Sequence, residues 1–363
     1  MKSIKAILPA VAKRFDLQLE RSGPAGGGFS GAEVFRVEAA DGREFAFRRT
    51  PQRIALQLER LRALHGLLVS VHRSGIIEIA VPHLPCARLN GGSTPALSPL
   101  TENGASHDPW TRIGTDLWQV EPWMPGASIR GGEVSQERLF ATLERLRKLH
   151  AALAENCTAG NQSAWFRNSL EPSPAILRRR NIVDELLNGQ LSILRQRSAV
   201  DPDSGFRNAA AKVFRVLDNR LPWLLHELTR MADKSFPIQP VLRDVWRAHV
   251  LFTDDRVTGL IDLSAAGSDH VVVDAARLLR SWFGTDNSRM TQAVGEFESM
   301  QPFSRADRQL CRAIDASSVL LSPVTWIQRR ADSLETGLCT PEVLARFDEV
   351  TSIVEAFEPL PVR

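Results

Sequence analysis

The stretch "VLRDVWRAHVLFTDDRVTGLIDLSAAG", residues 241–267, constrains the fold more than any other part of this 363-residue chain. Its two short apolar runs, joined by a turn, read as a pair of β-strands. They interrupt a C-terminal half that is patterned for helices on both sides. A fold for this sequence has to set a small hairpin into a helical body. It also has to account for Asp244 ahead of the first run and Asp262 at the end of the second.

The N-terminal part has a different texture. Ile4, Ile7, Leu8, Val11 and Phe15 recur at helical spacing. The apolar run they belong to is short, contains Pro9 and is closed by Lys13 and Arg14, unlike a signal peptide. A glycine-rich turn then leads into "EVFRVEA" and "REFAFRR", a hairpin around "DGR". Residues 52–73 place Ile54, Leu58, Leu61, Leu64 and Leu68 on one helical face. "IIEIAVPHLP" and "DLWQVEPW" read as two more strands, separated by a Gly-, Ser-, Pro- and Asn-rich insert with the composition of a mobile loop. After "EPWMPG" the chain turns mainly helical from about residue 134, with "ILRRRNIVDELLNGQLSILRQ" among the helices expected. This predicts an α+β protein with a β-rich N-terminal lobe, residues 1–125, and a helical C-terminal lobe, residues 126–363.

Composition excludes several classes of function. A formal charge of +3 lacks the dense basic footprint of a nucleic-acid binder. No window approaches a membrane span. The four cysteines, Cys86, Cys157, Cys311 and Cys339, form no CxxC pair and have no histidine at ligand spacing, so neither a zinc site nor a disulfide framework is expected. A reducing cytoplasm fits this cysteine usage.

Three features of the N-terminal lobe carry possible chemistry. Gly26, Gly28 and Gly31 satisfy G-x-G-x-x-G, and a strand-flanked loop of this kind can cover phosphates with its backbone amides. It does not open a helix, which argues against a dinucleotide-binding unit. Arg48 lies on the next strand, where it can aim a cation back at bound phosphates, with Arg49 on the opposite side. Glu59 is the only acid between Gln52 and Arg73, and it could pair with Arg48. Each also fits a plain structural role: a flexible hairpin connection, a solvated strand cation, a solvated helix charge.

Together with "RDVWRAHVLF" and "VTGLIDLS", these motifs resemble the aminoglycoside phosphotransferase family, relatives of the protein kinases, over most of the chain. The resemblance implies a kinase-like bilobal fold that binds ATP and magnesium. It implies Asp244 as the base that accepts an acceptor hydroxyl's proton, with His249 and Asp262 at the metal positions. Gly26, Gly28, Gly31, Arg48 and Glu59 would handle the nucleotide. The backbone from Gln119 to Trp123, through Glu121, would form the hinge that meets adenine. Asp274 falls where the family has an acid that steadies the catalytic loop, Arg277 is a pairing candidate one turn on, and His150 packs beneath. The implied partner is a small molecule with a free hydroxyl, aminoglycoside-, sugar- or choline-like.

The chain departs from the family at Leu242-Arg243-Asp244, where His-Gly-Asp is usual, at His249, where asparagine is usual, and at Ser264, where a glycine or second acid is common. Imidazole nitrogen is softer than an amide oxygen and shifts the metal expectation toward manganese. These departures keep a second function in view, a pseudokinase that binds nucleotide or a partner without transfer. A third is a scaffold using Trp110, Trp118 and Trp123 as contact patches.

Overall fold

A computed structural model describes residues 4–27, 32–52, 57–86, 108–130, 133–158, 163–336 and 341–360. In chain order the elements are α1 (Ile4–Arg14), β1 (Leu19–Gly27), β2 (Glu33–Ala39), β3 (Glu44–Thr50), α2 (Leu58–Arg73), β4 (Thr111–Ile113), β5 (Asp116–Pro122) and α3 (Gln136–Thr158). There follow β6 (Ser169–Glu171), α4 (Pro174–Glu185), α5 (Leu191–Ala199), α6 (Ser204–Ala232), β7 (Phe236–Val241), β8 (Val250–Thr253), β9 (Arg256–Leu260) and β10 (Gly267–Asp269). The last are α7 (Val272–Phe283), α8 (Asn287–Met300), α9 (Arg305–Thr336) and α10 (Pro341–Glu355). The fold is α+β. Its contacts divide into two compact units, one of residues 1–128, 151–166 and 249–266, the other of residues 129–150, 167–248 and 267–363.

The first unit is built on an antiparallel sheet in the order β1-β2-β3-β5-β4. Alternation along β3 and β5 sends Phe45, Phe47, Trp118 and Val120 to one face, where Leu8, Val11, Ala12 and Phe15 join the same core. Each such side chain removed from water contributes about 1.5–3 kcal/mol. The opposite face carries Arg48 across from Gln119 and Ala46 across from Glu121, so the polar residues share one side of the sheet.

Two strand expectations change. Gly26 belongs to β1, paired with Val34, while Gly28 and Gly31 lie outside the described residues. "IIEIAVPHLP" is not a strand, because Pro82 and Pro85 have no N–H to donate. It runs extended, with one parallel bridge from Ile79 to Leu260 and a bond from the His83 N–H to the Val120 carbonyl at 2.7 Å. Residues 87–107 of the insert lie outside the described residues, but Thr111–Ile113 after them pairs with β5. Nor are the tryptophans contact patches as a group: Trp110 and Trp118 are buried in this unit. The hairpin of residues 250–260 forms as expected, with Asp254 left-handed (φ 54°) in its turn.

The second unit packs α4, α5, α6, α7, α9 and α10 against one another beside the three-stranded sheet β10-β7-β6. Leu217, Leu221, Leu224 and Leu228 supply the fully buried stripe of α6. The helix expected over "ILRRRNIVDELLNGQLSILRQ" is broken at Asn188-Gly189, where Gly189 takes φ 119°. Two buried bidentate pairs brace this unit: Arg280 with Asp315 joins α7 to α9, and Arg330 with Asp201 joins α9 to the connection between α5 and α6. No helix among the described residues is long and apolar enough to cross a membrane.

Candidate functional site

In the first unit the chemistry gathers on the polar face of the sheet. Asp262 follows β9 in a left-handed conformation (φ 56°, ψ 54°), which aspartate adopts more readily than most non-glycine residues. Its carboxylate takes an ion pair from Arg48 at 2.7 Å and a hydrogen bond from the Ser264 hydroxyl at 3.0 Å. His249 Nε2 lies 3.8 Å from the other oxygen. Burial pushes the Asp262 carboxyl up, but Arg48, His249 and Ser264 outweigh it and hold it below the usual carboxylate range.

Glu121, on β5 beside Arg48, goes the other way: burial raises its pKa, Arg48 opposes this, and the nearby Asp262 charge adds to it. Arg48 therefore has its acids in Asp262 and Glu121. The expected pair with Glu59 does not form, because Glu59 sits on the outer face of α2 and is exposed. The residue of α2 that reaches this cluster is Arg60, which donates to the backbone carbonyls of Ser264 and Ala266 and so clamps the segment after Asp262. Arg60 was missed in the sequence although it shares a helical face with Leu64 and Leu67, both buried. A small hollow of about 20 Å³ opens beside this cluster, lined by Leu64, His65, Gln119, Glu121 and Ser264 among others. Trp123 is already engaged elsewhere: its N–H donates to the Glu44 carbonyl at 3.0 Å and its ring lies 4.9 Å from the Arg36 guanidinium.

Asp262 and His249 offer one anionic oxygen and one imidazole nitrogen near each other. Among the described residues no group of three or more His, Cys, Asp or Glu side chains is placed to hold a metal. This donor set fits a divalent cation that accepts a nitrogen ligand and completes its shell with phosphate oxygens and water, manganese more readily than magnesium. It does not fit a structural ion held by protein alone.

In the second unit a loop after β7 presents Asp244. Asp274, in the first turn of α7 and fully buried, organises that loop. Its carboxylate accepts from the Leu242 N–H at 2.8 Å, the Arg243 N–H at 2.6 Å and His150 Nε2 at 2.8 Å. Arg243, at the position where the resemblance leads one to expect glycine, adopts φ 64°. Its guanidinium is received by the Ser268 carbonyl and passes so close to Gly267 that a Cβ there would collide with it. The Asp244 side chain is about 40% exposed and is ion-paired with Arg277.

The profile of the phosphotransferase enzyme family matches residues 23–310. No curated protein matches the sequence. Solved structures with a similar fold include a spectinomycin phosphotransferase in complex with ADP and spectinomycin, at TM-score 0.60 and 13% identity, covering 99% of this chain and 95% of that one. An aminoglycoside phosphotransferase from Alicyclobacillus acidocaldarius aligns at TM-score 0.57 and 15% identity, covering 96% and 92%. A macrolide 2'-phosphotransferase from Brachybacterium faecium aligns at TM-score 0.53 and 16% identity, covering 97% and 98%. At these identities the likeness speaks for the fold.

Proposed function

The chain belongs to the phosphotransferase enzyme family, and from that premise we propose that it moves the γ-phosphoryl group of ATP to a hydroxyl of a small molecule. Asp244 takes the hydroxyl proton as the acceptor oxygen bonds to phosphorus. The bond from the γ-phosphorus to the bridging oxygen breaks, and ADP leaves. Asp262 and His249 hold magnesium or manganese, which when bound neutralises charge on the donor's phosphate oxygens. Arg48, with the glycine-rich segment of Gly26, Gly28 and Gly31 in the sequence, positions those phosphates. Glu121 holds Arg48 from the same sheet face, and Asp274 fixes the backbone that carries Asp244. Catalysis in this scheme is positioning and charge neutralisation.

The observation that carries the reading is the Asp262 cluster: a carboxylate ion-paired with Arg48 at 2.7 Å and held below the usual carboxylate range, with His249 at 3.8 Å. Calorimetric titration with a non-hydrolysable ATP analogue tests it. Binding should require magnesium or manganese and weaken at least tenfold in Asp262→Asn. Equal binding with and without metal would contradict it.

One observation favours a second reading, a pseudokinase. Both candidate carboxylates carry an arginine, Arg48 on Asp262 and Arg277 on Asp244. Nucleotide that binds without any product forming across a range of acceptors would select this reading.

A further inference from the structure

The arginine that pairs with Asp244 also lines an open hollow of about 80 Å³ within the helical unit. Trp246 and Arg247, just after Asp244 in the chain, form part of its wall. Arg277 and Arg280 come from α7, and Arg346 and Glu349 come from α10. Serine hydroxyls and aliphatic side chains complete the lining. Arg280 is spent on Asp315, bonded at 2.8 and 2.6 Å. Arg247 and Arg346 share a single carboxylate, that of Glu349. Burial pushes that carboxyl up, but the two arginines hold it below the usual range. The guanidinium carbons of Arg247 and Arg346 lie 5.7 and 5.0 Å from the Trp246 ring centre, so an aromatic face helps hold both in place.

Positive charge is in excess here. Arg247 gives an N–H to the Ser281 carbonyl at 2.7 Å, and beyond that bond the two guanidinium groups of Arg247 and Arg346 share the single Glu349 carboxylate. A cationic acceptor would meet like charge in this hollow. A carboxylate or phosphate would find planar, forked donors suited to bidentate recognition.

We propose that the acceptor is an anionic alcohol, a small molecule bearing a carboxylate or phosphate that docks on Arg346 and Arg247 of this hollow, with a separate hydroxyl delivered to Asp244. The assignment rests on the phosphotransferase reading above and deepens it by naming the acceptor's charge. It runs against the aminoglycoside- and choline-like acceptors expected from the sequence.

A matched series tests it: gluconate, glucose phosphate, glucose and glucosamine, which share a carbon skeleton and differ in charge. Each is titrated calorimetrically against the full chain and offered as acceptor with ATP and magnesium. At least one of the two anions should bind and react at least tenfold better than glucose, and glucosamine worst. Arg346→Gln should weaken anion binding about tenfold, with Arg346→Lys recovering part. Glu349→Gln should tighten anion binding several-fold by freeing both arginines, a gain that a purely structural glutamate would not give. Preference for glucose or glucosamine, failure of both anions to bind, or anion binding indifferent to Arg346 and Glu349 overturns the proposal. Transfer to glucose or glucosamine without anion binding overturns it while leaving the phosphotransferase reading intact. Arg346-dependent anion binding with no transfer to any acceptor sinks the phosphotransferase reading and supports the anion site.

Discussion

At Asp244, exchanging one carboxylate oxygen for an amide nitrogen separates the chemistry from the scaffold. Asp244→Asn should lower kcat by about 10²–10⁴, the usual worth of a general base, with melting little changed because the side chain is partly exposed. His249→Asn replaces a nitrogen donor with an amide oxygen and should shift the preferred metal from manganese toward magnesium by several-fold, read from rates at saturating ATP. Gly267→Ala should displace Arg243 and destabilise the protein by about 1 kcal/mol, and Arg243→Gly should suppress that cost, a coupling that a double-mutant cycle measures. The resemblance singled out Asp244, His249 and Asp262 from the sequence, and the structure places His249 Nε2 3.8 Å from the Asp262 carboxylate. The partner of Arg48 was not legible there: choosing among Glu59, Glu121 and Asp262 depends on which face of the sheet and of α2 is buried. The exposed Glu59 lost that choice, while its neighbour Arg60 turned inward.

Elements whose residue pattern and backbone chemistry agree were readable, and those where the two conflict were not. The residue 250–260 hairpin, β2, β3 and β5 follow alternation. β1 was hidden because Gly23, Pro24, Gly26 and Gly27 read as a turn, and "IIEIAVPHLP" misled because its apolar pattern is that of a strand while its prolines cannot pair. His83 in that extended segment is buried, with its ring 5.5 Å from that of Phe45. Its pKa is pushed down to about 4, by burial first and then by Arg43 and His65. The unfolded chain binds this proton near pH 6.5 and the folded chain only near 4, so stability falls as pH drops from 6.5 toward 4. The loss attributable to His83 should be on the order of 2 kcal/mol at pH 4 relative to pH 7. Denaturant melts of His83→Gln at both pH values should show it largely removed.

Across the molecule, two buried ion pairs brace the helical unit, and breaking one costs more than the intact pair contributes. Asp201→Ala would leave Arg330, 6% exposed, without its carboxylate, and should cost about 3–5 kcal/mol in thermal or denaturant melts. Such pairs were invisible in the sequence, since the partners lie 129 residues apart. The α+β class was visible, because the change from alternating to helical pattern near residue 134 is a local signal. What the whole chain does with ATP is read by phosphorus NMR. The full chain is incubated with ATP, magnesium or manganese and a pool of small hydroxyl compounds, in parallel with Asp244→Asn. The account predicts a new phosphomonoester signal growing in step with ADP in the wild type and at least a hundredfold slower in the variant. ADP with no phosphomonoester, or a variant that forms product at the wild-type rate, would contradict it.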